Sequence, residues 1–202
     1  MTDPRRLLVL GAGGHGRAVA DVAVAAGRTV VGFTEPGGAR LGDPPVLGRD
    51  DELAVLAKRH DAFAVVGVGN TALARRAELF TALAAACRPA PALVHPRATV
   101  APTAALAVGA VVFANAVFGA GVAVGENAVI YSGAIIEHDS RIGAHAYLAP
   151  GVVVCGGVTI EDGAFVGAGA VLIPGAHVGC GAIIGAQSLV RGAVAAGQSV
   201  RP

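Results

Sequence analysis

Titratable residues are scarce in the second half of this chain, so their clustering there carries information. At Ile136-Glu137-His138-Asp139 a histidine stands between two carboxylates, with Arg141 close behind. An imidazole held beside a carboxylate is fixed in orientation, which suits a general base working near neutral pH. A solvated corner carrying a surface ion pair is the plainer reading of the same residues. A second constellation lies near the N-terminus, where Gly11, Gly13 and Gly16 satisfy G-x-G-x-x-G and Glu35 follows where a ribose-binding acid would sit. Such a glycine turn can cradle any phosphate on a helix N-terminus. His145 and His177 do not share the register of His138, and His95, before Pro96, reads as structural. Three converging ligands cannot be placed from that spacing, so no metal is expected.

The elements that position these residues announce themselves by a repeat. Every sixth residue from Val94 to Val190 is aliphatic or Phe, seventeen positions in all, and four residues after each comes Ala, Ser or Val, ending at Val194. Neither a helix period nor strand alternation could hold that phase for so long. The pattern predicts a left-handed parallel β-helix over about 94–194, with one hexad per side and 18 residues per turn. On that spacing Gly156 lies one coil above His138, followed by Gly157. Glycines there would leave room for a substrate and offer a backbone N–H to an oxyanion. The expectation is that the phase never breaks.

Residues 6–90 follow another rhythm. Strands are expected at Leu7 to Leu10, Thr29 to Phe33 and Ala62 to Val66, and helices at Arg17 to Ala26, Asp51 to Arg59 and Ala72 to Ala86. Alternating β and α implies a short parallel sheet, Rossmann-like, with crossover helices. The expected domains are 1–90, α/β and nucleotide-sugar-binding, and 91–202, the β-helix. Three βα units make about half of a two-halved dinucleotide fold, so a mononucleotide diphosphate fits the glycine turn better than NAD, with a bare tight turn as the third reading.

Composition excludes several classes of function. The net charge of +1 supplies no field for nucleic acid or an anionic membrane. Two long stretches without charge could pass for membrane spans by length, but they are rich in Gly and Ala and keep the hexad phase. The opening MTDPRRLLVLGAGGHG makes a poor signal peptide and a good first strand. Three widely spaced cysteines point to a cytoplasmic protein without a disulfide framework.

A GAGGHGR turn, a short α/β domain, LVHPRATVAP and hexads containing IIEHDSRIG together make the chain resemble the NeuD/PglD-type sugar O- and N-acyltransferases over nearly its whole length. The resemblance implies transfer of acetyl from acetyl-CoA to an amine or hydroxyl of a sugar, with a nucleotide-linked aminosugar as the expected acceptor. It makes His138 the general base and Asp139 the acid that orients it. Gly14, His15 and Gly16 would contact the nucleotide-sugar, with Glu35 near the base and Gly67, Gly69 and Asn70 of VVGVGN in a further loop. Backbone at Gly156, Ala168 and Ala186 would hold coenzyme A, and the protein would be a homotrimer with acetyl-CoA between adjacent β-helices. Tyr147 stands where the family commonly has a histidine near the thioester, Tyr131 where it often has an asparagine near the sugar, and Glu35-Pro36 where a pair of acids can follow the second strand. Relatives usually continue past the position of Arg201-Pro202 with a short tail. Two alternatives stay open: O-acetylation of a free acceptor such as sialic acid, and a non-catalytic trimer that senses a nucleotide-sugar.

Overall fold

The computed structural model describes residues 5–38 and 42–202, so the first four residues of the N-terminal stretch lie outside the described residues. The chain divides into two compact units between Leu93 and Val94. In the first, β1 (Arg6–Leu10), β2 (Thr29–Thr34), β3 (Val46–Gly48) and β4 (Phe63–Val66) form one parallel sheet in the order β3-β2-β1-β4. The third of these strands is missing from the sequence expectation. Its three residues, Val-Leu-Gly behind two prolines, are too short to show alternation. Helices α1 (Gly14–Ala25), α2 (Leu53–His60) and α3 (Leu73–Ala86) complete the unit. Helix α1 begins at Gly14 rather than Arg17, so the glycine cluster itself opens the helix.

The second unit is a left-handed β-helix with three parallel faces of two-residue strands. The first face runs from Leu93–Val94 to Ser199–Val200, the second from Thr99–Val100 to Leu189–Val190, and the third from Ala105–Leu106 to Ala193–Val194. Strands pair with partners 18 residues on, as in Val129↔Tyr147 and Ile135↔Val153. The inward column is dry: Ile130, Ile136, Leu148, Val154 and Leu172 have no accessible surface, and neither do the small residues Ala134, Ser140, Ala146 and Ala164. At the N-terminal end of the column Val94, Val100 and Leu106 are only half-buried, because the first coil has no coil beneath it.

From Gly109 onward the corners are three-residue turns whose last member is left-handed, except at Arg191-Gly192. From Gly109 to Gly197 these residues have φ between 54° and 72°. Ten are glycine; the others are Asn115, Asn127, Asp139, His145 and Gln187, mostly types that tolerate this conformation. The hexad phase does break, in the last coil. His177 pairs with Ala193 and Ile183 with Ser199, a step of 16 residues. Arg191 and Gly192 replace a full corner, and Val194, expected as a small corner residue, stands in a strand beside Val178. Val serves in either place, so the sequence hid the deletion.

Leu148→Ala would open a cavity in the column. It is expected to cost about 2–5 kcal/mol, read as a lowered midpoint in denaturant unfolding.

Candidate active site

His138 and Asp139 are the second and third residues of a corner between the second and third faces. The left-handed turn at Asp139 (φ 60°) brings its carboxylate back to the preceding ring, with Nδ1 and Oδ2 2.9 Å apart. A carboxylate only accepts, so Nδ1 carries the proton and donates, and Nε2 of the neutral ring presents a lone pair. Both side chains are largely exposed, so the pair contributes orientation more than stability. The ring lies directly beneath Gly156: a Cβ built there would sit 2.5 Å from His138 Nε2. Below, a Cβ on Gly119 would sit 2.7 Å from the His138 backbone nitrogen, and one on Gly121 would sit 2.8 Å from Asp139 Oδ1. Glycines thus flank the pair above and below; those beneath it escaped the sequence reading, although the 18-residue step identifies Gly121 under Asp139 and Gly119 under the neighbouring Glu137.

The ladder also dictates which backbone donors are free. From Asn127 onward the last residue of each three-residue corner donates its N–H to the middle residue one coil back, as Asp139 does to Ala120 and Gly157 to His138. The Gly157 N–H is therefore committed at 2.9 Å, which leaves Gly156 as the uncommitted donor of the two glycines considered for an oxyanion. The middle residue has no ladder partner for its own N–H. Ala168 and Ala186 are such middle residues, one coil apart, in the corner between the first and second faces. Among the described residues, nothing accepts from Gly156, Ala168 or Ala186. At the remaining corner acids close this vacancy: Asp162 accepts from the Ala144 N–H at 2.8 Å and Glu161 from the Cys180 N–H at 2.8 Å. Glu161 also accepts from His177 at 2.9 Å, and these bonds, that of His177 foremost, hold its carboxyl below the usual range. Pro150 and Pro174 occupy two more middle positions and have no N–H to lose.

The tyrosines stand elsewhere. Tyr147 belongs to the first face, is 4% exposed, and stacks between Tyr131 at 5.5 Å and Phe165 at 5.8 Å, while Tyr131 lies 4.1 Å from Phe113. Within one chain neither shares the corner of His138. The expected residues of the β-helix thus fall into two groups, flanking the second face.

In the N-terminal unit, Gly11, Gly13, Gly14, His15, Gly67, Val68, Gly69 and Asn70 line one cleft of about 370 Å³. Helix α1 starts there with Gly13 as a cap lacking any side-chain bond and with no acid in its first turn, an arrangement that favours an anion. Gly16 is not in the lining. It is buried, and a Cβ on it would lie 1.8 Å from the Gly11 carbonyl oxygen, so its part is close packing of helix on strand. Glu35 is also outside the lining; it closes β2, its N–H donating to the Gly48 carbonyl. His15 is held far below the ordinary imidazole range, at about 4, by burial and by the nearby Arg76. Arg76 was missed, though its signal was present: it shares the buried stripe of α3 with Leu79, Phe80 and Leu83. Among the described residues no three His, Cys, Asp or Glu side chains converge on a metal position, and no helix is long and apolar enough to cross a membrane.

Residues 6–83 match the PglD N-terminal domain, and 121–156 and 139–174 match the bacterial transferase hexapeptide (six repeats). The acetyltransferase domain of PglB from Neisseria gonorrhoeae FA1090, solved in complex with acetyl coenzyme A, is 31% identical with a TM-score of 0.89, over 97% of this chain and 95% of that one. The chain belongs to the PglD-type hexapeptide-repeat acetyltransferases. PerB from Caulobacter crescentus, in complex with CoA and GDP-perosamine, is 31% identical with a TM-score of 0.88, over 94% and 90% of the two chains. WeeI from Acinetobacter baumannii AYE shares the fold at 24% identity, with a TM-score of 0.86 over 97% and 96%. Among curated protein sequences none matches.

Gly156 is outside the left-handed region, so its backbone tolerates alanine, but the added methyl collides with the His138 ring. Gly156→Ala is expected to lower the acetyl-transfer rate by at least about 100-fold with little change in melting temperature. An unimpaired rate would contradict this placement of the ring.

Proposed function

We propose that the chain transfers acetyl from acetyl-CoA to the amine of a nucleotide-linked aminosugar. The observation that carries the reading is the imidazole held by Asp139 with its free nitrogen against Gly156, in a chain whose relative PerB was solved with CoA and GDP-perosamine. The neutral amine attacks the thioester carbonyl, and His138 Nε2 takes the proton the nitrogen sheds as the N–C bond forms. The Gly156 N–H stabilises the oxyanion of the tetrahedral intermediate. On collapse the C–S bond breaks, and the proton on Nε2 passes to the departing sulfur, returning the ring to its starting state. Direct attack within a ternary complex needs no acyl-enzyme and gains from proximity.

A homotrimer supplies what one chain lacks. The donors at Ala168 and Ala186 stand across the second face from His138, and a ring of copies would bring one copy's corner to the other corner of its neighbour. The outward column of that face is apolar, with Val117, Ile135 and Leu189 37%, 36% and 42% exposed, as a surface covered by another copy would be. Free cysteines at 87, 155 and 180 accord with a reducing, cytoplasmic setting.

The test is acetylation of UDP-, GDP- and dTDP-linked aminosugars, followed by mass spectrometry. One of these carriers is expected to accept acetyl, and His138→Ala is expected to lower kcat by about 10²–10⁴ while still binding acetyl-CoA. Acetylation of free sialic acid and of none of the nucleotide-sugars would overturn the N-acetyl reading. Ala168→Pro deletes one unpaired donor at a position whose stacked neighbour is already Pro150. It is expected to weaken acetyl-CoA about tenfold, measured by calorimetry, with the fold intact.

A further inference from the structure

Arg76 is completely buried in the N-terminal unit. A guanidinium without access to water is costly unless its donors are used, so its presence calls for a reason. Its Nη1 donates to the carbonyls of Val66 and Val68, both at 3.0 Å. These two carbonyls bracket Gly67, where β4 ends and the cleft begins. Gly67 has no room to move: a Cβ on it would lie 2.6 Å from Val9 and 2.8 Å from the Gly16 Cα. On the opposite wall His15 packs closely on the same loop, with a Cβ at Gly69 only 3.1 Å from the His15 Cβ.

We propose that Arg76 is the positioning residue of this cleft: its guanidinium clamps the loop carrying Gly67, Gly69 and Asn70 and lays a positive charge behind the site, selecting an anionic ligand, here the diphosphate of a nucleotide. The charge acts from behind the wall, since Arg76 is not among the residues that line the cleft. It also works with the first turn of α1, whose N–H groups favour an anion and whose acids are absent. The same charge, added to burial, keeps His15 uncharged down to a pH of about 4. The imidazole therefore meets the ligand as a neutral hydrogen-bonding group, with one donor and one acceptor, and contributes orientation where Arg76 contributes charge. The nucleotide identity rests on the function proposed above; the clamp and its effect on His15 do not.

Two substitutions separate charge from hydrogen bonding. Arg76→Lys keeps the charge, and Arg76→Gln keeps amide donors without it. Histidine-ring titration by NMR on ligand-free protein is expected to leave His15 low in the Lys variant and to move its pKa upward in the Gln variant. Calorimetry with the nucleoside diphosphate that binds wild type is expected to show Kd within about threefold of wild type for Lys and at least about tenfold weaker for Gln. At saturating nucleotide-sugar, kcat should stay within about twofold of wild type in both. Equal weakening by the two variants would reduce Arg76 to packing and overturn the proposal, as would no weakening by either. If wild type binds none of UDP, GDP or dTDP, the nucleotide reading fails by itself, and the His15 titration still decides whether Arg76 sets the electrostatics of the cleft.

Discussion

The coil-on-coil register of the β-helix is the constraint on which the rest of the active site depends. Until the last coil each strand lies beside the one 18 residues on, and from Asn127 onward the left-handed corner residues donate to the coil behind. That arrangement is enforced from inside, where the aliphatic column leaves no space for a slip, and at the corners, where a shift would place β-carbons in left-handed backbone. Once the register is set, three consequences follow without further design. His138 must stack against Gly156, Asp139 must turn back to its imidazole, and the middle residue of a corner is left without a ladder partner for its N–H. Chemistry then needs only the choice of side chain at each corner. Acids or prolines silence the donor, as at Cys180 and Pro174, and small residues leave it open, as at Gly156 and Ala168.

The N-terminal unit solves a related problem by different means. Its ligand cleft comes from three glycines that let helix, strand and loop approach to near contact, Gly11, Gly16 and Gly67. Gly11 and Gly16 of the familiar motif therefore serve packing, while Gly11 and Gly13 both line the cleft. The cleft has few charges in its lining, and the anion selectivity proposed for it would arise from oriented peptide groups and a buried cation behind them. A site polarised in this way resists reorganisation, because the charges involved cannot turn towards solvent.

Much of this was legible in the residues alone, for physical reasons. A period of six imposes its own test, since one misplaced polar residue would break it, and so the β-helix, the His138–Asp139 pair and the glycine above it could all be numbered from the sequence. The last coil could not, because Val194 satisfies both a corner and a strand. β3 could not, because three residues carry no period. Gly157 and Gly156 are equivalent by type, and only the hydrogen-bond ladder separates them. Tyr147 and His138 are nine residues apart, half a turn of the helix, which puts them on opposite sides of the prism in one chain. A resemblance can name both as active-site residues without placing them together, and in the function proposed it is a second copy that would bring them near. Arg76 was passed over because a charge in a helix reads as solvated; its place on the apolar stripe was the contrary signal.

The central claim is that the register delivers one half of each active site from one copy and the other half from its neighbour. It is tested most directly by mixing two defective chains, His138→Ala and the double variant Ala168→Pro with Ala186→Pro, and reassembling them together. If sites are shared, random trimers regain roughly a quarter of the wild-type rate per subunit, because one interface in four receives both intact halves. If the mixture is no more active than its parents, each site lies within a single chain, and the account of how the two corners meet is wrong.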